Sequence, residues 1–151
     1  MAVHREIAVG IRDPQDTTET LAFAFEEAAL RGADLVAVHS WYGLPAALRI
    51  AVAAKVLDSR SADPARISAE AESRLTTALA GHREKYPAVK VRLDVIHGHP
   101  GQVLASYTAR TDLVVLGRHA HPEGAGPGIG SIQHAVLDHA HGPVAVIPSG
   151  G

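Results

Sequence analysis

Short apolar runs divide the chain, and between them apolar residues recur every three or four positions. Ile7-Ala8-Val9-Gly10-Ile11, Leu35-Val36-Ala37-Val38-His39 and Asp112-Leu113-Val114-Val115-Leu116 are short, nearly continuous and rich in branched side chains. Such runs predict strands buried on both faces of a parallel sheet. Pro143-Val144-Ala145-Val146-Ile147-Pro148 predicts a further strand bracketed by prolines. Val89, Val91, Leu93 and Val95 instead alternate with Lys90, Arg92 and Asp94. That period of two predicts a half-exposed strand at a sheet edge.

The intervening segments read as helices. Leu21, Phe25, Ala28 and Ala29 share one face, with Asp16 and Glu19 spaced as a capping box and Gly32 placed to end the helix. Asp63-Pro64 opens a second helix, with a capping carboxylate and a proline at the first helical position; Ile67, Ala71, Leu75, Ala78, Leu79 and His82 line its face to about Tyr86. Gly98-His99-Pro100-Gly101 turns into a short helix around Val103, Leu104 and Tyr107, and Ser131 caps a last one carrying Ile132, Ala135, Val136 and His139. From Trp41 to Asp63 the signals conflict: Gly43 and Pro45 break the segment, while Leu48, Val52, Val56 and Leu57 suit a short helix. Strands alternating with helices predict an α/β, doubly wound parallel sheet, because parallel pairs need crossovers and right-handed crossovers cover both faces. Ligands of such sheets gather at the carboxyl ends of the strands, where the strand order reverses.

Composition narrows the function. With 151 residues, 46% of them hydrophobic, one domain spanning 1–151 is expected. The 14 basic and 16 acidic residues are scattered, which leaves no electrostatic footprint for nucleic acid or an anionic membrane. The start, Met1-Ala2-Val3-His4-Arg5-Glu6, is polar, and no stretch reaches the roughly 18 apolar residues of a span, so a cytoplasmic protein is expected. The absence of cysteine excludes disulfides, thiolate metal sites and cysteine catalysis.

The candidate chemistry sits where the fourth apolar run meets the last helix. Gly117-Arg118-His119-Ala120 closes the run, and nine residues later Gly130-Ser131 opens the helix, whose unpaired N–H groups and positive end suit an anion. Gly117 and Gly130 let the backbone approach a phosphate closely. Glu123, in the glycine-rich stretch between them, opposes a triphosphate. Arg12, just past the first run, has two readings: a guanidinium pairing bidentately with phosphate, or a solvated charge paired with Asp13, Asp16 or Glu19.

Ten histidines include the pairs His97 and His99, His119 and His121, and His139 and His141, which raises metal binding and pH sensing. With no cysteine and no paired helical histidines beside a carboxylate, no metal site is expected. Ser131, His134 and Asp138 lie on one short helix, a poor scaffold for a hydrogen-bonded catalytic line, and no Walker lysine is present. No catalytic residue is assigned, and at most slow ATP hydrolysis is expected.

The chain resembles a universal stress protein domain over nearly its whole length. The resemblance is carried by Ile7-Ala8-Val9-Gly10-Ile11, Glu26-Glu27-Ala28-Ala29-Leu30-Arg31-Gly32-Ala33, Val38-His39-Ser40-Trp41, Gly98-His99-Pro100, Asp112 to Gly117, Gly130-Ser131 and Gly142-Pro143-Val144-Ala145-Val146, in that order and spacing. It implies a five-stranded Rossmann-like sheet of order 3-2-1-4-5, a homodimer through the last strand (here Val144 and Val146), and either ATP binding or, in a second branch, none. The ATP-binding pattern is glycine, two residues, glycine, nine residues, then glycine and serine or threonine. Gly117 matches its first glycine, Ala120 stands at the second, and Gly130-Ser131 match its end. The implied phosphate-binding residues are therefore Gly117, Arg118, His119, Ala120, Gly130, Ser131 and Ile132. The nucleoside end is implied at Ile11, Arg12, Asp13 and Ser40. Arg12 occupies the position of the binders' aspartate, and Ser40 is implied only as a backbone contact to adenine. The expected function is a stress-response switch that binds ATP or AMP and acts on a protein partner not identified by sequence. The alternative is a dimeric interaction module of the same family with a degenerate site.

Overall fold

The computed structural model describes residues 5–12, 18–41, 53, 63–118 and 131–148. Its elements are β1 (Glu6–Gly10), α1 (Thr18–Arg31), β2 (Asp34–Trp41), α2 (Pro64–Lys85), β3 (Val91–His97), α3 (Pro100–Thr108), β4 (Leu113–Arg118), α4 (Ser131–Asp138) and β5 (Val144–Pro148). The strands form one sheet of order β3-β2-β1-β4-β5. Every pairing is parallel. This is the doubly wound α/β architecture that the alternation of patterns predicts.

Two cores, one on each face, explain why the central strands are apolar throughout. Ile7, Val9, Leu35, Ala37, Leu113 and Val115 meet Leu21, Phe25 and Ala28 of α1 and Leu75 and Leu79 of α2. The residues between them, Ala8, Val36, Val38, Val114 and Leu116, meet Leu104 and Tyr107 of α3 and Val136 of α4. Side chains alternate along a strand, so a strand covered on both faces has no position left for a polar residue.

The edge strand β3 follows the predicted alternation. Val91, Leu93 and Val95 pack against the first core. Arg92 and Asp94 face the other way, at the margin of the sheet, where Arg92 bonds Glu6 of β1 at 3.0 Å and Asp94 at 3.4 Å. The Tyr107 hydroxyl of α3 donates to Asp94.

The termination signals behave as their chemistry requires. Gly32 takes φ +62° after α1, a conformation a Cβ resists. The Asp63 carboxylate accepts from the Ala65 N–H at 3.1 Å, with Pro64 following. Gly142 is demanded by packing, because a Cβ there lies 2.7 Å from the Thr108 carbonyl oxygen.

Several boundaries differ from the pattern. β1 ends at Gly10 although the apolar run continues to Ile11, because the Ile11 carbonyl bonds the His39 ring. Asp112 precedes β4: its N–H donates to the Glu6 carbonyl and its carboxylate accepts the Arg5 N–H. α4 stops at Asp138, which leaves His139 exposed beyond the buried face it was assigned to. Asp16 and the helix expected between Trp41 and Asp63, apart from Ala53, fall outside the described residues.

Candidate functional site

The strand order reverses between β1 and β4. β1 feeds α1, which packs on one face, and β4 leads to α4, which packs on the other. Because β1 and β4 are neighbours, helices on opposite faces follow adjacent strands, the arrangement that in doubly wound sheets opens a crevice at the carboxyl ends. Gly10 and Leu116 are opposite each other at its floor. A Cβ on Gly10 lies 2.9 Å from a Leu116 methyl and 3.0 Å from the Leu104 methyls, so glycine lets these two leucines close the floor.

The described residues among those assigned to phosphate binding divide between the two lips. Gly117, buried, and Arg118 are the last two residues of β4, paired with Ile147 and Pro148 of β5. Ser131 and Ile132 begin α4, whose first-turn N–H groups have no partners inside the helix. His119, Ala120, Gly130 and Asp13 lie outside the described residues, as does Glu123. On the β1 side, Ile11 is buried and Arg12 is exposed.

β2 overlooks the crevice. Its pairing with β1 reaches Gly10↔Val38, whereas its pairing with β3 continues to Trp41↔His97. β2 and β3 therefore rise three residues, about 10 Å, above the end of the β1 ladder. Successive residues of a strand address opposite neighbours. The Val38 carbonyl accepts the Ile11 N–H at 2.8 Å on the β1 side, and the Trp41 carbonyl accepts the Gly98 N–H at 2.8 Å on the β3 side. Two residues beyond Val38, the N–H and C=O of Ser40 turn toward the β1 side, above the point where that strand's pairing stops. The Ser40 hydroxyl donates to the Gly98 carbonyl at 2.6 Å and so is directed away from the crevice.

Sequence reasoning passed over two residues that shape this rim. The ring Nδ1–H of His39 donates to the Ile11 carbonyl at 2.8 Å. A carbonyl oxygen only accepts, so the proton sits on Nδ1, and the bond fastens the chain where it leaves β1 for Arg12. The available signal was a polar ring on the same strand face as Leu35 and Ala37. Trp41 is stacked on His97, centroids 4.0 Å apart and planes at 15°, and its Nε1–H donates to the Ser68 hydroxyl of α2 at 3.2 Å. The His97 ring is thus engaged by an indole, and His99 stands at the N-cap of α3. Among the described residues no three of His, Asp and Glu converge as metal ligands.

His134 and Asp138 form an i, i+4 pair on α4 at 3.9 Å, with side chains 70% and 69% exposed. Solvent screens a pair so exposed. It has the geometry of a surface ion pair, not of a desolvated base and its orienting group.

Residues 4–148 match the Universal stress protein family. A universal stress protein of Mycobacterium tuberculosis is 34% identical over 143 residues, covering 95% of this chain and 45% of that protein. A Mycobacterium bovis universal stress protein gives the same identity and coverage. The chain thus spans about half the length of the curated relatives it matches. Among solved structures, the universal stress protein of Archaeoglobus fulgidus superposes with a TM-score of 0.69 at 22% identity, covering 97% of this chain and 99% of that one. The Archaeoglobus fulgidus structure in complex with dAMP gives 0.64 at 22% identity, with 94% and 96% coverage. A universal stress protein in complex with cAMP gives 0.60 at 19% identity, with 99% and 100% coverage. At these identities the likeness establishes the fold.

Proposed function

The chain belongs to the universal stress protein family, and we propose that it binds an adenine nucleotide, ATP or AMP, across the carboxyl ends of β2, β1 and β4 and serves as a cytoplasmic stress-response switch. The observation that carries this reading is the backbone of Ser40, turned over the end of the β1 ladder beside a crevice at the strand-order reversal. One N–H and one C=O in that position match the acceptor and donor on the edge of an adenine ring, and the contact is independent of the serine side chain. The phosphates then run toward Gly117 and Arg118 at the end of β4 and Ser131 and Ile132 at the start of α4, with His119, Ala120 and Gly130 as the further phosphate-binding residues of this reading. Oriented N–H groups and the helix end offset their charge there. Ile11, fastened by His39, and Arg12 and Asp13 flank the nucleoside. Relatives of the same fold with dAMP and with cAMP support an adenine ligand.

In this reading the bound nucleotide alters the surface around the β4 to α4 connection and so selects a protein partner. Two copies associate through β5, an edge strand whose Val144 and Val146 are half-buried within one chain. Among the described residues no helix is long and apolar enough to cross a membrane. A second reading rests on Arg12, which is exposed and stands where the family's nucleotide binders carry aspartate. On that reading the protein is a dimeric interaction module with no nucleotide.

Calorimetric titration with ATP, AMP and inorganic phosphate separates the two. Saturable ATP binding that is lost in Gly130→Val supports the switch, and phosphate binding of similar strength assigns Arg12 to an anion site. No heat and no thermal stabilisation at millimolar ATP leave the interaction module.

A further inference from the structure

The seam between α1 and α2 is closed by rings. Phe25 of α1 is wholly buried. Its ring centroid lies 5.4 Å from the His82 imidazole, with planes at 18°, and 6.0 Å from the Tyr86 ring, with planes at 25°. α2 is 22 residues long, yet its buried residues are Ile67, Leu75 and Leu79. Beyond Leu79 its attachment falls to the half-buried His82 and Tyr86, and the Tyr86 N–H closes the helix on the His82 carbonyl at 3.0 Å.

Among the described residues, no carboxylate forms an ion pair with His82. β3 turns Val91, Leu93 and Val95 toward this core, and α1 contributes Leu21, Phe25 and Ala28. Of the nearby α1 carboxylates, Glu27 is paired with Arg31 and Glu26 is exposed. The charge that acts on His82 is Lys85, from its own helix, with its ammonium 5.7 Å from the Tyr86 ring centroid. Burial first and then Lys85 hold the imidazole below its ordinary value of 6.5.

We propose that the His82–Phe25–Tyr86 stack is a proton-sensitive clasp, in which neutral His82 holds the C-terminal end of α2 against α1 and a proton on His82 releases it. Docked His82 binds a proton less readily than undocked His82. Docking is therefore fully favoured above pH 6.5, and the advantage is lost as pH falls from there through the docked value. Acidification frees one end of a helix whose other end is tied to Trp41 by Ser68.

Hydrogen exchange of the intact protein at about pH 7.5 and about pH 5.5, corrected for intrinsic rates, tests the clasp. The expected result is a several-fold loss of protection at the end of α2 on acidification, absent in His82→Phe, which keeps the ring and removes the proton. Unchanged protection in the parent, or the same loss in His82→Phe, overturns the proposal. Lys85→Gln, a change at an exposed position, lets the docked value rise toward 6.5 and so shrinks the loss of protection at about pH 5.5. A loss of undiminished size also overturns it.

Discussion

Tyr107 offers a direct measure of how the sheet margin is held. Its side chain is 2% exposed, its hydroxyl donates to the Asp94 carboxylate, and the Arg110 guanidinium lies 4.3 Å from its ring centroid. Burial first, then the hydrogen bond and charge of Asp94, push the phenol up to about 12, with Arg110 opposing. An unfolded tyrosine ionises near 10, so the unfolded chain gives up this proton first. The contribution to stability is intact below pH 10 and is lost as pH rises from 10 through 12. A rise of about two units corresponds to roughly 3 kcal/mol when fully titrated, of which roughly 2 kcal/mol is lost by about pH 11.5. Tyr107→Phe keeps the ring and removes both the donor and the titration. At neutral pH it is expected to cost about 1.5–3 kcal/mol, the range for a hydrogen bond to a charged group. Urea unfolding of parent and variant from about pH 8 to about pH 11.5 then gives a stability difference that is constant below pH 10 and shrinks above it. Other tyrosines and the lysines titrate equally in both proteins and cancel. A difference independent of pH across that interval refutes the assignment of the shift to the buried bond with Asp94.

Three further outcomes follow from the geometry. Gly142→Ala places a methyl 2.7 Å from the Thr108 carbonyl oxygen, backbone that cannot rotate away, and is expected to cost about 1–3 kcal/mol in urea unfolding; a neutral result shows that α3 shifts freely. His39→Phe removes the donor to the Ile11 carbonyl and is expected to cost about 1–2 kcal/mol of stability. If the proposed nucleotide site is right, it also weakens ATP binding in the calorimeter by loosening the chain at Arg12, and unchanged affinity separates this bond from the site. Val144→Asp with Val146→Lys yields monomers by light scattering if β5 pairs two copies, and an unchanged mass excludes that edge.

Much of the fold was legible because it rests on local regularities. Covering a strand on both faces forces a continuous apolar run, and β3 betrayed its edge position through Arg92 and Asp94. Gly32 and the Asp63-Pro64 pair marked their helix ends because αL geometry and N-capping are chemistry within a few residues. The candidate site was less legible. Spacing singled out Gly117, Arg118, Ser131 and Ile132, and the described structure carries them at the end of β4 and the start of α4. Where the Ser40 backbone points did not follow from spacing. That depended on β1 pairing as far as Val38 while β3 pairs as far as Trp41, a difference of register between strands distant in sequence.

By itself the sequence determined which segments become strands and helices and that β3 lies at a sheet edge. Each depends on residues within one or two turns of each other. The tertiary structure alone decided that His39 locks the end of β1, that Trp41 lies between His97 and Ser68, and that Phe25 receives two rings from α2. These contacts join elements separated by long stretches of chain. Periodicity states which face a residue occupies, and only the packed sheet states what that face meets.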